Sequence, residues 1–247
     1  MNKVLITGGS GKLGSAIINS KLFNEILSPS SKIFDITNSK KIEEYFYENK
    51  FDVVIHCAAV ARLKEAHNNP SKAINVNLVG TSNLVNAVLS EEIKEKRSIR
   101  FIQISTDGVY ESVKGPYSES HETKPYSIYG WTKLGAECAV RTLKNYCIIR
   151  TSFFDPENIP FMESAIDAYS SRIPVKDVAQ GIHKIANINF VGVINLGGPK
   201  KSHYDLYREY KPSLKPCKYE DTIKNLDFKL PKDSSMDCSL WNSLINH

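Results

Sequence analysis

The first part of the chain alternates short apolar runs with stretches whose apolar residues recur at helical spacing. Lys3 to Thr7 (KVLIT) is β-branched and apolar and predicts a buried strand. A helix is expected from Ser15 to Leu22, and a second extended piece at Lys32 to Asp35. Ser39 to Asn49 places Ile42, Tyr45 and Phe46 on one helical face. Phe51 to Ala59 reads as a strand, and Asn77 to Leu89 as a helix burying Leu84, Val85 and Val88. Phe101 to Ser105 and Cys147 to Arg150 are further strands, separated by a helix from Tyr129 to Leu143. Strands this apolar are covered on both faces, as in a parallel sheet flanked by helices. The expected fold is therefore α/β: a Rossmann-type, doubly wound parallel sheet over residues 1–150, with a small substrate-binding lobe over 151–247, either separate from the first or interleaved with it. Beyond Arg150 prolines become frequent, and only a helix at Val175 to Ala186 and a strand at Gly192 to Leu196 stand out.

Composition narrows the class. The 247 residues carry a formal net charge of +5, spread without a basic stripe, so a nucleic-acid partner is not expected and an anionic small ligand is. No apolar run approaches the ~18 residues that span a bilayer, so no membrane partner is expected. The cysteines Cys57, Cys138, Cys147, Cys217 and Cys238 are odd in number and form no CxxC pair. They read as reduced thiols of a cytoplasmic protein, with no metal site.

Gly8-Gly-Ser-Gly11-Lys12-Leu13-Gly14 follows the first strand directly and opens a helix. In a dinucleotide loop the first glycine permits the tight turn. The second lets the backbone approach a pyrophosphate, the third lets helix and strand pack closely, and the helix N-terminus favours the anion. The spacing alone would also suit a plain β–α turn; its place between strand and helix points to a dinucleotide. Asp35 stands twenty-one residues past Gly14. It would accept from the ribose hydroxyls or from the adenine amino group, or it is simply an acid ahead of the next helix. Ser30, Ser31 and Lys32 suit a 2′-phosphate, so NADP(H) and NAD(H) both remain open.

Tyr129 and Lys133 form a YxxxK pair on one face of a helix. An ammonium beside a phenol favours the phenolate, so Lys133 is expected to lower the pKa of Tyr129 and fit it for proton transfer to a carbonyl. Thr106 comes at the carboxyl end of the FIQIS strand, next to Ile104, where ligands bind in open α/β sheets. Its hydroxyl would orient a substrate carbonyl beside Tyr129. The catalytic set is thus Thr106, Tyr129 and Lys133.

With these motifs in order, the chain resembles the extended short-chain dehydrogenase/reductase family, and more narrowly the dTDP-4-dehydrorhamnose reductases and their sugar-nucleotide-binding relatives. The resemblance is carried by GGSGKLG at 8–14, FDIT at 34–37, DVVIHCAA at 52–59, NVNLVGTSNL at 75–84 and STDGVY at 105–110. It continues in PYSE at 116–119, YGWTKLGAE at 129–137, RTS at 150–152 and PKDSSMDCS at 231–239. It implies that Gly11, Lys12 and Leu13 line the pyrophosphate, that Asp35 and Ile36 lie by the adenine, and that Ala58, Ala59 and Val60 follow the dinucleotide. Asn77 would support the active-site helix. Thr106, Asp107, Gly108 and Phe153 would form the substrate side, with Gly108 standing where relatives carry a bulky aromatic residue and so widening the sugar pocket.

The implied activity is NAD(P)H-dependent reduction of a 4-keto sugar nucleotide, with Tyr129 as proton donor, in an enzyme that relatives would lead one to expect as a homodimer. Dehydratases of this kind carry Thr-Asp-Glu; Gly108 in the third place removes that acid. Two alternatives remain: an epimerase holding NAD tightly, and a dinucleotide-binding regulatory subunit without turnover. The segment between Arg150 and Asp177 is about one helix shorter than in most such relatives. Arg62 and Lys64 are either ligand contacts or solvated loop charges.

Overall fold

The computed structural model describes residues 3–245. Its centre is a six-stranded, wholly parallel sheet in the order β10-β5-β4-β3-β1-β2. The strands are β1 (Lys3–Thr7), β2 (Glu25–Leu27), β3 (Val53–His56), β4 (Arg100–Thr106), β5 (Tyr146–Thr151) and β10 (Gly192–Leu196). Side chains alternate across each strand, and the two faces of the sheet bury different sets. Val4, Ile6, Ile55, Ile102 and Ile149 face α1 (Lys12–Asn19) and α7 (Val175–Ala186). Leu5, Val54, Phe101 and Ile148 face α2 (Ser39–Glu48), α5 (Gly80–Glu95) and α6 (Ile128–Val140). Both faces being covered is why these strands are rich in buried apolar residues, with polar ones such as Gln103, Ser105, Thr106 and Arg150 buried as well.

The second extended piece is not at Lys32 to Asp35, which forms turns. The strand beside β1 is Glu25–Leu27, only three residues long and half-exposed at the sheet edge. Phe34 and Ile36 are nevertheless buried, packed under α2 and α5 rather than paired in the sheet. Between Leu63 and α5 the chain runs through α3 (Leu63–Asn68), α4 (Pro70–Ala73) and a π-helical turn at Ile74–Val79.

After β5 the chain leaves the sheet and returns to it. Short strands β6 (Phe153–Phe154), β7 (Glu163–Ala165), β8 (Tyr169–Ser170) and β9 (Ile173–Pro174) precede α7. β11 (Lys201–Ser202), α8 (His203–Arg208), β12 (Lys215–Cys217) and α9 (Tyr219–Ile223) follow β10. They pair as β11–β8, β12–β7 and β6–β9, forming a small lobe around Phe154, Leu206, Tyr207 and Leu214. Because α7 and β10 belong to the large sheet, this lobe is threaded through it. The tail then runs back between the two parts: Asp233 pairs with Tyr169 and Met236 with Tyr117. α10 (Ser239–Ile245) docks by β10, so Trp241 packs into the core of the large sheet and not into the small lobe.

Candidate active site

The chain turns from β2 on one side of β1 to β3 on the other, so β1 and β3 flank the switch point of the sheet, where crevices open at the carboxyl ends of strands. A cleft of about 740 Å³ lies there. Its floor is the glycine loop. Gly8 has φ +69°, and a Cβ at this position would stand 2.6 Å from the Ala58 nitrogen, so only glycine lets the loop pass beside β3. A Cβ on Gly14 would run into the Gly8 carbonyl oxygen. The first residue before α1 is Gly11, and no side chain caps the helix. Its amide groups are thus open at the cleft, next to Lys12 and Leu13, which also line it. An uncapped helix start, a loop in which only Ser10 carries a side chain, and an adjacent lysine fit a dinucleotide diphosphate.

The opposite wall is built by the end of β4 and the first turns of α6. Ser127 caps α6 by accepting from the Gly130 amide at 3.1 Å. This sets Tyr129 and Lys133 one turn apart, facing β4. Lys133 is buried, and its ammonium donates to the Ile104 carbonyl at 2.6 Å. Burial pulls its pKa down to about 8, against Glu137 and Cys57, which raise it. Tyr129 interacts with the Thr106 hydroxyl. Its pKa moves opposite to the expectation from the YxxxK spacing. Burial and the Asp107 carboxylate push the phenol up, and the Thr106 hydrogen bond offsets this only in part. The physical reason is the loss of solvent around the phenol and the nearby Asp107 charge; Lys133, whose ammonium donates to the Ile104 carbonyl, is not among the groups that act on it. The Thr106 hydroxyl accepts from the Gly108 amide at 3.1 Å and donates to Asp107 Oδ1 at 3.0 Å.

Behind this wall, Ser105 donates to Glu137 at 2.5 Å, and Arg150 donates to the same carboxylate from Nε at 3.1 Å and Nη2 at 2.7 Å. This pair pins α6 to β4 and β5. Asn77 works from the other side. Its Oδ1 accepts from the Val60 amide at 2.7 Å, while its Nδ2 donates to the Val60 carbonyl at 3.2 Å and to Thr132 at 2.9 Å.

The cleft gathers Gly8, Gly11, Lys12, Leu13, Gly14, Ala59, Ile104, Thr106, Asp107, Tyr129, Lys133 and Phe153 from the sequence reading, together with Arg62. Ala58, Val60, Asn77 and Gly108 stand just behind its lining. A Cβ on Gly108 would be 3.4 Å from the Thr106 hydroxyl and 3.9 Å from the Tyr126 hydroxyl. A single methyl group would therefore sit here at ordinary contact distance. Asp35 and Ile36 lie apart from it: Asp35 accepts from the Thr37 amide and hydroxyl at 3.0 and 2.8 Å, and Ile36 is buried. The sequence reading missed Tyr126, Ser152 and Arg172 as lining residues. Tyr126 sits one turn before Tyr129 and was open to inference; nothing in the local sequence marks Arg172.

The switch-point sheet, the glycine loop and the Thr106–Tyr129–Lys133 set define an extended short-chain dehydrogenase/reductase fold. The RmlD substrate binding domain model matches residues 1–179, and the chain belongs to that family. The dTDP-4-dehydrorhamnose reductase of Mycolicibacterium smegmatis is 33% identical over 156 residues, covering 61% of this chain and 45% of that protein. Methionine adenosyltransferase 2 subunit beta of Rattus norvegicus is 27% identical over 289 aligned positions, covering 98% of this chain and 82% of that protein. Among solved structures, a dTDP-4-dehydrorhamnose reductase of Clostridium acetobutylicum superposes with a TM-score of 0.85 at 27% identity, covering 96% of this chain and 91% of that one. The chain spans about half the length of the curated reductases it matches.

Proposed function

We propose that the protein is an NAD(P)H-dependent reductase of a keto sugar carried on a nucleotide, of the dTDP-4-dehydrorhamnose reductase kind. The observation that carries this reading is the convergence of Thr106, Tyr129 and Lys133 on one cleft with the glycine loop. Bound NADP(H) or NAD(H) would supply the hydride. The chain's own residues do the rest. Thr106 orients the substrate carbonyl, and Tyr129 donates its phenolic proton to the carbonyl oxygen as charge develops there. A phenol held up by burial and Asp107 is protonated throughout the neutral range, which is the state a proton donor requires. Lys133, which lines the cleft and donates to the Ile104 carbonyl, would hold the nicotinamide ribose with its remaining ammonium protons.

The test is oxidation of NADPH and NADH with a panel of 4-keto sugar nucleotides bearing dTDP, UDP, GDP and CDP. Wild type consumes one cofactor with one nucleotide class. Tyr129→Phe lowers turnover by roughly 10²–10⁴-fold and leaves NADP⁺ binding within a few-fold. Retained turnover in that variant overturns the mechanism.

A second reading, a dinucleotide-binding regulatory subunit, is favoured by the match to methionine adenosyltransferase 2 subunit beta along nearly the whole chain. It requires a stoichiometric partner and no turnover across the same panel. For a homodimer, the supporting feature is an exposed apolar strip of Ile74, Val79 and Trp131 beside the packed pair of Leu78 and Gly135. Light scattering on wild type and Trp131→Glu reads this directly, with loss of the dimer expected in the variant.

A further inference from the structure

The Tyr126 phenol reaches over the bare backbone of Gly108, just past β4: a Cβ there would lie 3.4 Å from the Thr106 hydroxyl and 3.9 Å from that of Tyr126. A second glycine fixes this approach. A Cβ on Gly130 would run into the Gly108 carbonyl oxygen and stand 2.9 Å from Pro125 Cβ, so only glycine lets the first turn of α6 close onto that backbone. Tyr126 and Tyr129 thus both line the cleft, one from the lead-in to α6 and one from its first turn. The two phenols differ in their partners. Tyr129 is hydrogen-bonded to Thr106. Among the described residues the Tyr126 hydroxyl has no hydrogen-bond partner. Burial and the Asp107 carboxylate, with Arg172 opposing them, hold Tyr126 protonated, so it carries an unused donor. Asp107 is 8% exposed, has no cation within 4.0 Å among the described residues, and accepts there only from Thr106, at Oδ1. A free donor beside a buried carboxylate with acceptor capacity to spare is a site that a ligand hydroxyl completes, because leaving both unmet is costly.

Resting on the reductase reading, we propose that Tyr126 is a specificity-determining residue: it donates to the sugar hydroxyl on the carbon next to the reacting carbonyl, so the site selects α-hydroxy ketones. The Thr106 and Tyr126 hydroxyls flank one point, at 3.4 and 3.9 Å from it. A ring whose carbonyl is held at Thr106 therefore brings the oxygen of the neighbouring carbon to Tyr126. That hydroxyl accepts from the phenol and gives its own proton to Asp107, which satisfies all three groups at once. A sugar that is deoxy at this carbon strands the phenol and the carboxylate, and the site rejects it for that reason.

The experiment is calorimetric titration of the NADP⁺-saturated protein with dTDP-glucose and its 3-deoxy counterpart, and with the same pair on UDP. In these ligands the C4 hydroxyl takes the place of the carbonyl, so binding is read without turnover. Wild type binds the 3-hydroxy member of one pair at least about 10-fold tighter than the 3-deoxy member. Tyr126→Phe brings that preference within about 3-fold by weakening the 3-hydroxy ligand and leaving the 3-deoxy one as it was. A phenol that served only as packing would instead weaken both members alike or neither. Its hydroxyl has no partner within the protein, so Tyr126→Phe keeps the fold, and Tyr126→Leu, which also lacks the donor, reads the same loss. The proposal is overturned by a wild-type preference retained in Tyr126→Phe, and by a wild type that prefers neither 3-hydroxy ligand. A Tyr126-dependent preference without turnover across the keto-sugar panel removes the reductase reading and keeps this contact. Turnover with a Tyr126-independent preference does the reverse.

Discussion

At the scale of single residues, the site sets two ionisable groups against each other by burial. Tyr129 is driven to hold its proton, while the Lys133 ammonium is brought down to about 8. The proton donor is thus ready at neutral pH, and the group that loses its charge first is the lysine. If the charged ammonium is what positions the ribose and phenol, kcat/KM falls as pH rises through about 8 in the free enzyme, because Lys133 is charged below that value and neutral above it. Lys133→Arg keeps the charge at all accessible pH, so its slower reaction shows no such limb. A limb unchanged in that variant assigns the titration to another group.

At the scale of elements, the site depends on how β3, the π-helical turn and α6 are joined. A π turn widens the helix by one residue, and here it brings Asn77 to bear on Val60 and Thr132 at once. Asn77→Ala leaves the Val60 amide, the Val60 carbonyl and the Thr132 hydroxyl short of a buried partner. At roughly 1–3 kcal/mol for each group so stranded, the variant should lose on the order of 3 kcal/mol of stability, and its KM for the dinucleotide should rise more than its kcat falls. Urea midpoints and steady-state kinetics check both. Such joints were only partly legible in the chain. The strands with strong β-branched runs, β1, β3, β4 and β5, are read from sequence because both their faces are buried. β2 was not, because an edge strand of three residues has no such pattern, and Phe34 and Ile36 beside it are apolar for packing and not for pairing. The glycine loop and Tyr129–Lys133 are local motifs and so are visible in a linear sequence. Arg172 joins the cleft only because the small lobe folds back over the sheet, and that is a long-range event with no local signature.

At the scale of the whole molecule, two buried histidines, one in each part, tie stability to pH. His56 bridges Thr7 at 2.6 Å and Thr81 at 3.0 Å across β1, β3 and α5. The Thr81 hydroxyl donates to the Asn77 carbonyl at 2.6 Å, so it accepts from His56 Nε2, and His56 Nδ1 accepts from Thr7, which itself accepts from the Ala58 amide at 3.2 Å. That chain has no place for a second imidazole proton. Burial, and Lys133 nearby, bring His56 down to about 3; burial and Arg172, against Asp233, do the same for His203. Both sit below the ordinary value of 6.5, so the unfolded chain binds protons that the folded one does not, and stability is lost as pH falls from 6.5 towards 3. The slope approaches about 1.4 kcal/mol per pH unit for each histidine in that window. Lys133 adds nothing there, since its own proton linkage acts between about 8 and 10.5, where stability rises with pH. Urea midpoints taken between pH 7.5 and 5.0 should therefore fall steeply in wild type, and by about half as much in His203→Leu, whose non-titrating side chain leaves only His56 to protonate on unfolding. An undiminished slope in that variant would place the acid sensitivity in the large sheet alone, and would separate the stability of the dinucleotide half from that of the lobe threaded through it.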